Sequence, residues 1–120
     1  MKMYSLEYKK RPWTTNYERS KNRWVRAELT KEWRLAFCLL AKQAKIPKLN
    51  AIDIDVRVFQ KGGRLQDVAS CNPAVKAAID GLVDAGVIED DSPEYLRSIK
   101  FFAPQRGKDS LLINFREVIG

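Results

Sequence analysis

NAIDIDVRVF, residues 50–59, alternates without a break: Ile52, Ile54, Val56 and Val58 fall on one side, and Asp53, Asp55, Arg57 and Phe59 on the other. A period of two with β-branched residues on one face predicts a half-buried strand, closed by the turn residues KGG at 61–63. Asp53 and Asp55 form a DxD pair, but they fall on the polar side of that strand and read as solvated outer positions. Downstream, Asn72 offers an N-cap, Pro73 suits the first helical position, and Val75, Ile79, Leu82 and Val83 recur at helical spacing. Gly86 falls where a left-handed C-cap would end that helix.

Upstream, TKEWRLAFCLLAKQAK predicts a helix capped by Thr30, with Trp33, Phe37, Leu40 and Ala41 inward and Pro47 preventing much extension. KMYSLEYK at 2–9 sets Tyr4, Leu6 and Tyr8 against Met3, Ser5 and Glu7, a first strand. Two more strands, YLRSIKFFA (95–103) and SLLINFREV (110–118), are joined by PQRGKD and are expected to pair as a hairpin. The order β-α-β-α-β-β over residues 1–120 predicts one small α+β domain with helices packed on a mixed sheet.

The chain has 120 residues, a net charge of +7 and no histidine, which excludes a thiol–imidazole or serine–histidine active site. Cys38 and Cys71 lack partners at zinc-ligand spacing and read as reduced thiols of a cytosolic chain. No apolar run approaches the roughly 18 residues of a membrane span, so a soluble, cytoplasmic protein is expected. The charge is lopsided: residues 1–34 hold ten Lys and Arg against four Glu, while the remainder holds twelve against eleven acids. Within that first third, residues 9–29 have no clean period and read as a long exposed loop mixing cations with Trp13, Tyr17 and Trp24. That mixture suits phosphate contact and base stacking, although the two tryptophans could equally pack on the core.

Without histidine, catalysis would rest on acids, lysines or a metal. Candidates are Asp67, the run Glu89–Asp90–Asp91, and Lys76 with Asp80 at i, i+4. The intervening helix would hold Asp67 and the acidic run about 20 Å apart unless Asp67 lies on a segment crossing back over the helix. Adjacent carboxylates repel, and a hard divalent cation relieves that repulsion while leaving room for phosphate oxygens and water. Lys76 and Asp80 read either as a surface ion pair or as an ammonium poised beside a phosphate.

KAAIDGLVDAGVIEDD (76–91), with Asp67 upstream, resembles the RusA family of four-way (Holliday) junction resolvases. PWTTNYERSKNRW (12–24) and LTKEWR (29–34) are similar to that family's N-terminal substrate loop and first helix, and length and element order agree. The resemblance implies a homodimeric, Mg²⁺-dependent endodeoxyribonuclease, with Mn²⁺ a possible substitute, that nicks branched DNA in recombination and repair and is often phage-encoded. Carried over, Asp67, Asp90 and Asp91 would hold the metal, and Asp67, Lys76 and Asp91 would be catalytic. Arg11, Trp13, Asn16, Arg19, Lys21, Arg23 and Trp24 would contact DNA. The family's DxDN motif is incomplete: Ala69 and Ser70 stand at its second Asp and its Asn. Three readings follow: the remaining acids suffice, Asp80 turns in to help, or the protein binds branched DNA without cutting it.

Overall fold

The alternating stretch is the hub of the fold. In the computed structural model, which describes residues 2–118, the elements run β1 (Met3–Tyr8), α1 (Thr15–Ser20), α2 (Arg23–Gln43), β2 (Ile52–Gln60), α3 (Asn72–Asp84), β3 (Leu96–Phe101), β4 (Gln105–Arg106) and β5 (Ser110–Glu117). Strand order is β1-β5-β2-β3, with β4 continuing alongside β2. β2 runs parallel to β3 and β4 on one side and antiparallel to β5 on the other, and β5 is antiparallel to β1. A parallel pair needs a crossover, and α3 supplies it between β2 and β3. The result is a single small α+β domain with a mixed sheet.

Ile52, Ile54, Val56 and Val58 are buried as their alternation predicts, in one core with Leu6 of β1 and Leu111, Ile113 and Phe115 of β5. Trp33 and Phe37 of α2, and Val75, Ile79 and Leu82 of α3, complete that core. The opposite face of β2 is half-buried and tied by charge rather than by apolar packing. Arg116 lies 3.8 Å from Asp53 and 3.5 Å from Asp55, and the Arg57 guanidinium sits 3.7 Å from the Phe102 ring centre. The DxD pair is thus structural.

Four local expectations are corrected. The strands after α3 do not form a hairpin: β3 and β5 flank opposite sides of β2. β5 carries a fully buried apolar face and takes the sheet centre, whereas β3, with exposed Arg97, Ser98 and Lys100, takes an edge. Residues 9–29 are largely helical, because Thr14 and Asn22 each accept hydrogen bonds from backbone N–H groups and start α1 and α2. Thr30 therefore lies inside α2 rather than at its cap. Finally, Cys71, not Asn72, is the N-cap residue of α3, with no side-chain capping bond, which moves Pro73 from the expected first helical position to the second.

α2 and α3 cross in close contact at Gly81, with Arg34 bonded bidentately to Asp84 at 2.6 and 2.8 Å beside the crossing. The Arg34 guanidinium holds the Asp84 carboxyl below the usual carboxylate range. Gly86 ends α3 with φ +81°, the left-handed conformation its position predicts. Ala69 adopts φ +68° in the turn before α3, where a Cβ costs about 1 kcal/mol. Ala69→Gly should raise unfolding free energy in urea by about 0.5 kcal/mol, the relief of that strain net of glycine's extra unfolded-state entropy. A drop in stability would show that the left-handed turn is not the state adopted in solution.

Candidate functional site

The basic arm is built on one buried anchor. Trp13 is 7% exposed and packs edge-on to Trp33 at 5.8 Å, and its indole N–H donates to Glu18 Oε2 at 2.6 Å. Its assignment as a DNA-contacting residue is therefore corrected: its ring serves the core and fixes the path of residues 12–18. Trp24, by contrast, is 69% exposed with the Arg23 guanidinium 5.2 Å from its ring. Asn16, Arg19, Lys21 and Arg23 are likewise exposed along α1 and the start of α2, and Lys21 lies over Tyr17 at 4.9 Å. If the arm binds DNA, as the sequence resemblance implies, Trp24→Ala should weaken that binding roughly tenfold, the worth of one stacked base, while leaving the unfolding midpoint within experimental error. Equal binding by the variant would remove Trp24 from the interface.

The first residues of the arm are partly committed elsewhere. Lys10 bonds Glu32 at 2.7 Å, and Glu32 also accepts from the Tyr8 hydroxyl at 2.7 Å, which pushes the Tyr8 pKa up to about 12. Arg11 pairs with Asp109 at 3.1 Å.

The arm lies directly against the loop that precedes α3. The Thr15 N–H donates to the Ser70 carbonyl at 2.8 Å, and Gln66 Nε2 donates to the Pro12 carbonyl at 2.9 Å. Two recesses result. One is lined by Thr14 and Asn16 of the arm with Arg64, Gln66, Asp67 and Ser70. The other is lined by Glu18 and Thr30 with Asn72, Lys76 and Asp80 of α3. Of the two readings of Lys76 and Asp80, the surface ion pair is not formed, and Lys76 is exposed with no ion-pair partner among the described residues.

The acidic run is elsewhere. The loop at Asp67 is a tight turn, with the Ser70 N–H on the Asp67 carbonyl at 3.1 Å and the Asn72 N–H on the Ala69 carbonyl at 3.1 Å. It feeds straight into α3 and does not cross back over the helix. α3 then carries the chain along 13 residues, about 20 Å at 1.5 Å per residue, before the acids. There Glu89 pairs with Lys48 at 2.8 Å and Asp91 is exposed. Asp90 accepts from the Ser92 N–H at 2.7 Å, and hydrogen bonding from Ser92 holds its carboxyl below the usual range. Among the described residues no three His, Cys, Asp or Glu side chains gather to hold a metal, so Asp67, Asp90 and Asp91 do not form the expected common ligand set within one chain. Asp67 lines its recess beside Asn16 and Ser70, with the Ser70 hydroxyl donating to the Asp67 main-chain carbonyl at 2.9 Å.

Lys61, Arg64 and Lys108 went unrecognised as surface partners of the arm. Lys61 and Lys108 lie just outside strand ends, and the antiparallel register, with Tyr8 opposite Leu111 and Phe59 opposite Ser110, brings them beside Lys9, while Arg64 lines the Asp67 recess with Thr14 and Asn16. No protein-family model matches the chain, and no curated protein sequence matches it. No helix among the described residues is long and apolar enough to cross a membrane.

Proposed function

We propose that this protein acts on branched DNA as a structure-selective endodeoxyribonuclease of the four-way-junction type. The observation that carries this reading is the bond between the Thr15 N–H and the Ser70 carbonyl, 2.8 Å, which joins the basic arm to the loop bearing Asp67. Residues resembling a substrate arm and residues resembling a catalytic loop thereby share one flank, although more than 50 positions separate them. Arg19, Lys21 and Arg23 attract the phosphate backbone, and Trp24 offers a stacking surface. Asp67 would hold Mg²⁺ or Mn²⁺, which when bound supplies charge neutralisation and an activated water. Lys76, which has no ion-pair partner among the described residues, would offset charge developing on the scissile phosphate. A homodimer would present two related sites for paired cuts. The test is Mg²⁺-dependent nicking of a synthetic four-way junction, with a linear duplex of equal length as control. Nicking of the duplex at the same rate would remove structure selectivity.

A second reading is binding without cutting. It is favoured by the separation of Asp67 from Asp90 and Asp91 and by Ala69 at a motif Asp position. It expects salt-sensitive junction binding that is indifferent to Mg²⁺ and leaves both strands intact.

A further inference from the structure

We propose that Lys9, Lys61 and Lys108 form a second phosphate-contact patch, at the end of the sheet, which continues the DNA track of the arm. This rests on the nucleic-acid reading above and extends it to residues outside the arm. Lys9 follows β1, Lys61 follows β2 and Lys108 precedes β5, so all three lie at one end of the sheet. They line one open recess of about 420 Å³ together with Glu7, Asp109 and Ser110, which is room for a phosphate group with its waters. None of the three ammonium groups has an ion-pair partner among the described residues, whereas neighbouring Lys10 and Arg11 are taken by Glu32 and Asp109.

Asp109 shapes this recess. It accepts from the Lys61 backbone N–H at 2.8 Å and from Arg11, so its charge is engaged at the back while the lysine side chains remain free. Those hydrogen bonds, the Lys61 N–H first, hold its carboxyl below the usual range. The three lysines outnumber the two carboxylates of the recess, Glu7 and Asp109, and the resulting positive excess attracts an anion. Lysine ammonium groups bind phosphate oxygens as point charges, and continuity with the arm favours a phosphodiester chain over an acidic peptide here.

The patch is continuous with the site. Residues 9–18 line three successive recesses: Lys9 the lysine recess, Thr14 and Asn16 the Asp67 recess, and Glu18 the Lys76 recess. Bent at 9 and 10, non-helical to 14 and helical from Thr15, this segment spans at most about 25 Å even at full extension of its non-helical part. At 3.4 Å per phosphate along one strand of duplex, that is roughly seven phosphates.

The experiment is a salt titration of binding to a four-way junction, using the full chain, the Lys9→Gln/Lys61→Gln/Lys108→Gln variant and an Arg19→Gln/Lys21→Gln/Arg23→Gln variant. The lysine variant should lose roughly tenfold in affinity at low salt, and its slope of log affinity against log salt should flatten by about 2 to 3. Lys61→Gln keeps the backbone bond to Asp109, so folding should be unaffected; Lys108→Gln alone, expected to flatten the slope by about 1, is the control if the triple variant unfolds. An unchanged slope in both lysine variants, with loss in the arm variant, overturns the patch and leaves the DNA reading standing. No salt-sensitive DNA binding by the wild type removes both. Displacement of the wild-type protein by poly-glutamate as effectively as by duplex would overturn the patch in favour of an acidic polypeptide partner.

Discussion

Gly81→Ala is expected to lower unfolding free energy by about 3 kcal/mol and the melting midpoint by roughly 10 °C. Helix propensity alone points the other way, since Ala inside a helix is favoured over Gly by about 1 kcal/mol. The reversal comes from the crossing of α2 and α3. A Cβ at position 81 would lie 2.3 Å from the Arg34 carbonyl oxygen, 2.9 Å from the Cys38 nitrogen and 3.1 Å from the Phe37 Cβ. Two of these are backbone atoms of a helix and cannot rotate away, so α3 must shift as a body. Such a shift loosens Phe37, Val75 and Leu82, all of them fully buried, and pulls on the Arg34–Asp84 pair. Equilibrium unfolding in urea measures the effect directly. Stability equal to or above wild type would show that the helices do not meet this closely.

Asp67→Asn and Ala69→Asp form the second test, read on junction nicking. On the nuclease reading proposed above, Asp67→Asn is expected to reduce Mg²⁺-dependent nicking about 100-fold while leaving junction affinity within twofold, because it would remove a metal-holding charge and no phosphate contact. Ala69→Asp should act in the opposite direction, raising nicking or lowering the Mg²⁺ concentration needed by about tenfold. The backbone is suited to the change: φ at 69 is +68°, where Asp is better tolerated than Ala, and the position is exposed. If neither substitution alters nicking, Asp67 is not at the reacting phosphate and the nuclease reading fails. If the wild type binds without nicking and Ala69→Asp introduces nicking, the protein is a binder whose fold retains the geometry of a nuclease.

Burial of the anchor explains why the arm was hard to read. Trp13 and Trp24 lie 11 positions apart in the same basic segment, and their composition and surroundings are alike. One is held by Trp33 and Glu18 and the other faces solvent, a difference set by α2 turning back over the sheet. The start of α2 was similarly hidden, because Asn22 caps it eleven residues before Trp33, the first buried position of its apolar face. The two cysteines read as inert thiols are both buried, and burial raises the Cys71 pKa to about 11.

Features carried by neighbours in the chain were legible before any coordinates. The alternation of Ile52 to Val58, the apolar spacing of Val75, Ile79 and Leu82, and the glycine stop at 86 each arise from one element's own geometry, and each is found. Tertiary packing decided what depended on residues far apart in the chain. It inserted β5 between β1 and β2 where a hairpin with β3 was expected, and it set Thr15 on Ser70. It also left Asp90 and Asp91 beyond the far end of α3 from Asp67, because a helix is a rigid spacer whose length periodicity reports but whose neighbours it does not. The charge shows the same division: its sum and its concentration near the N-terminus are properties of composition, while the meeting of Lys9 with Lys61 and Lys108 follows from antiparallel register.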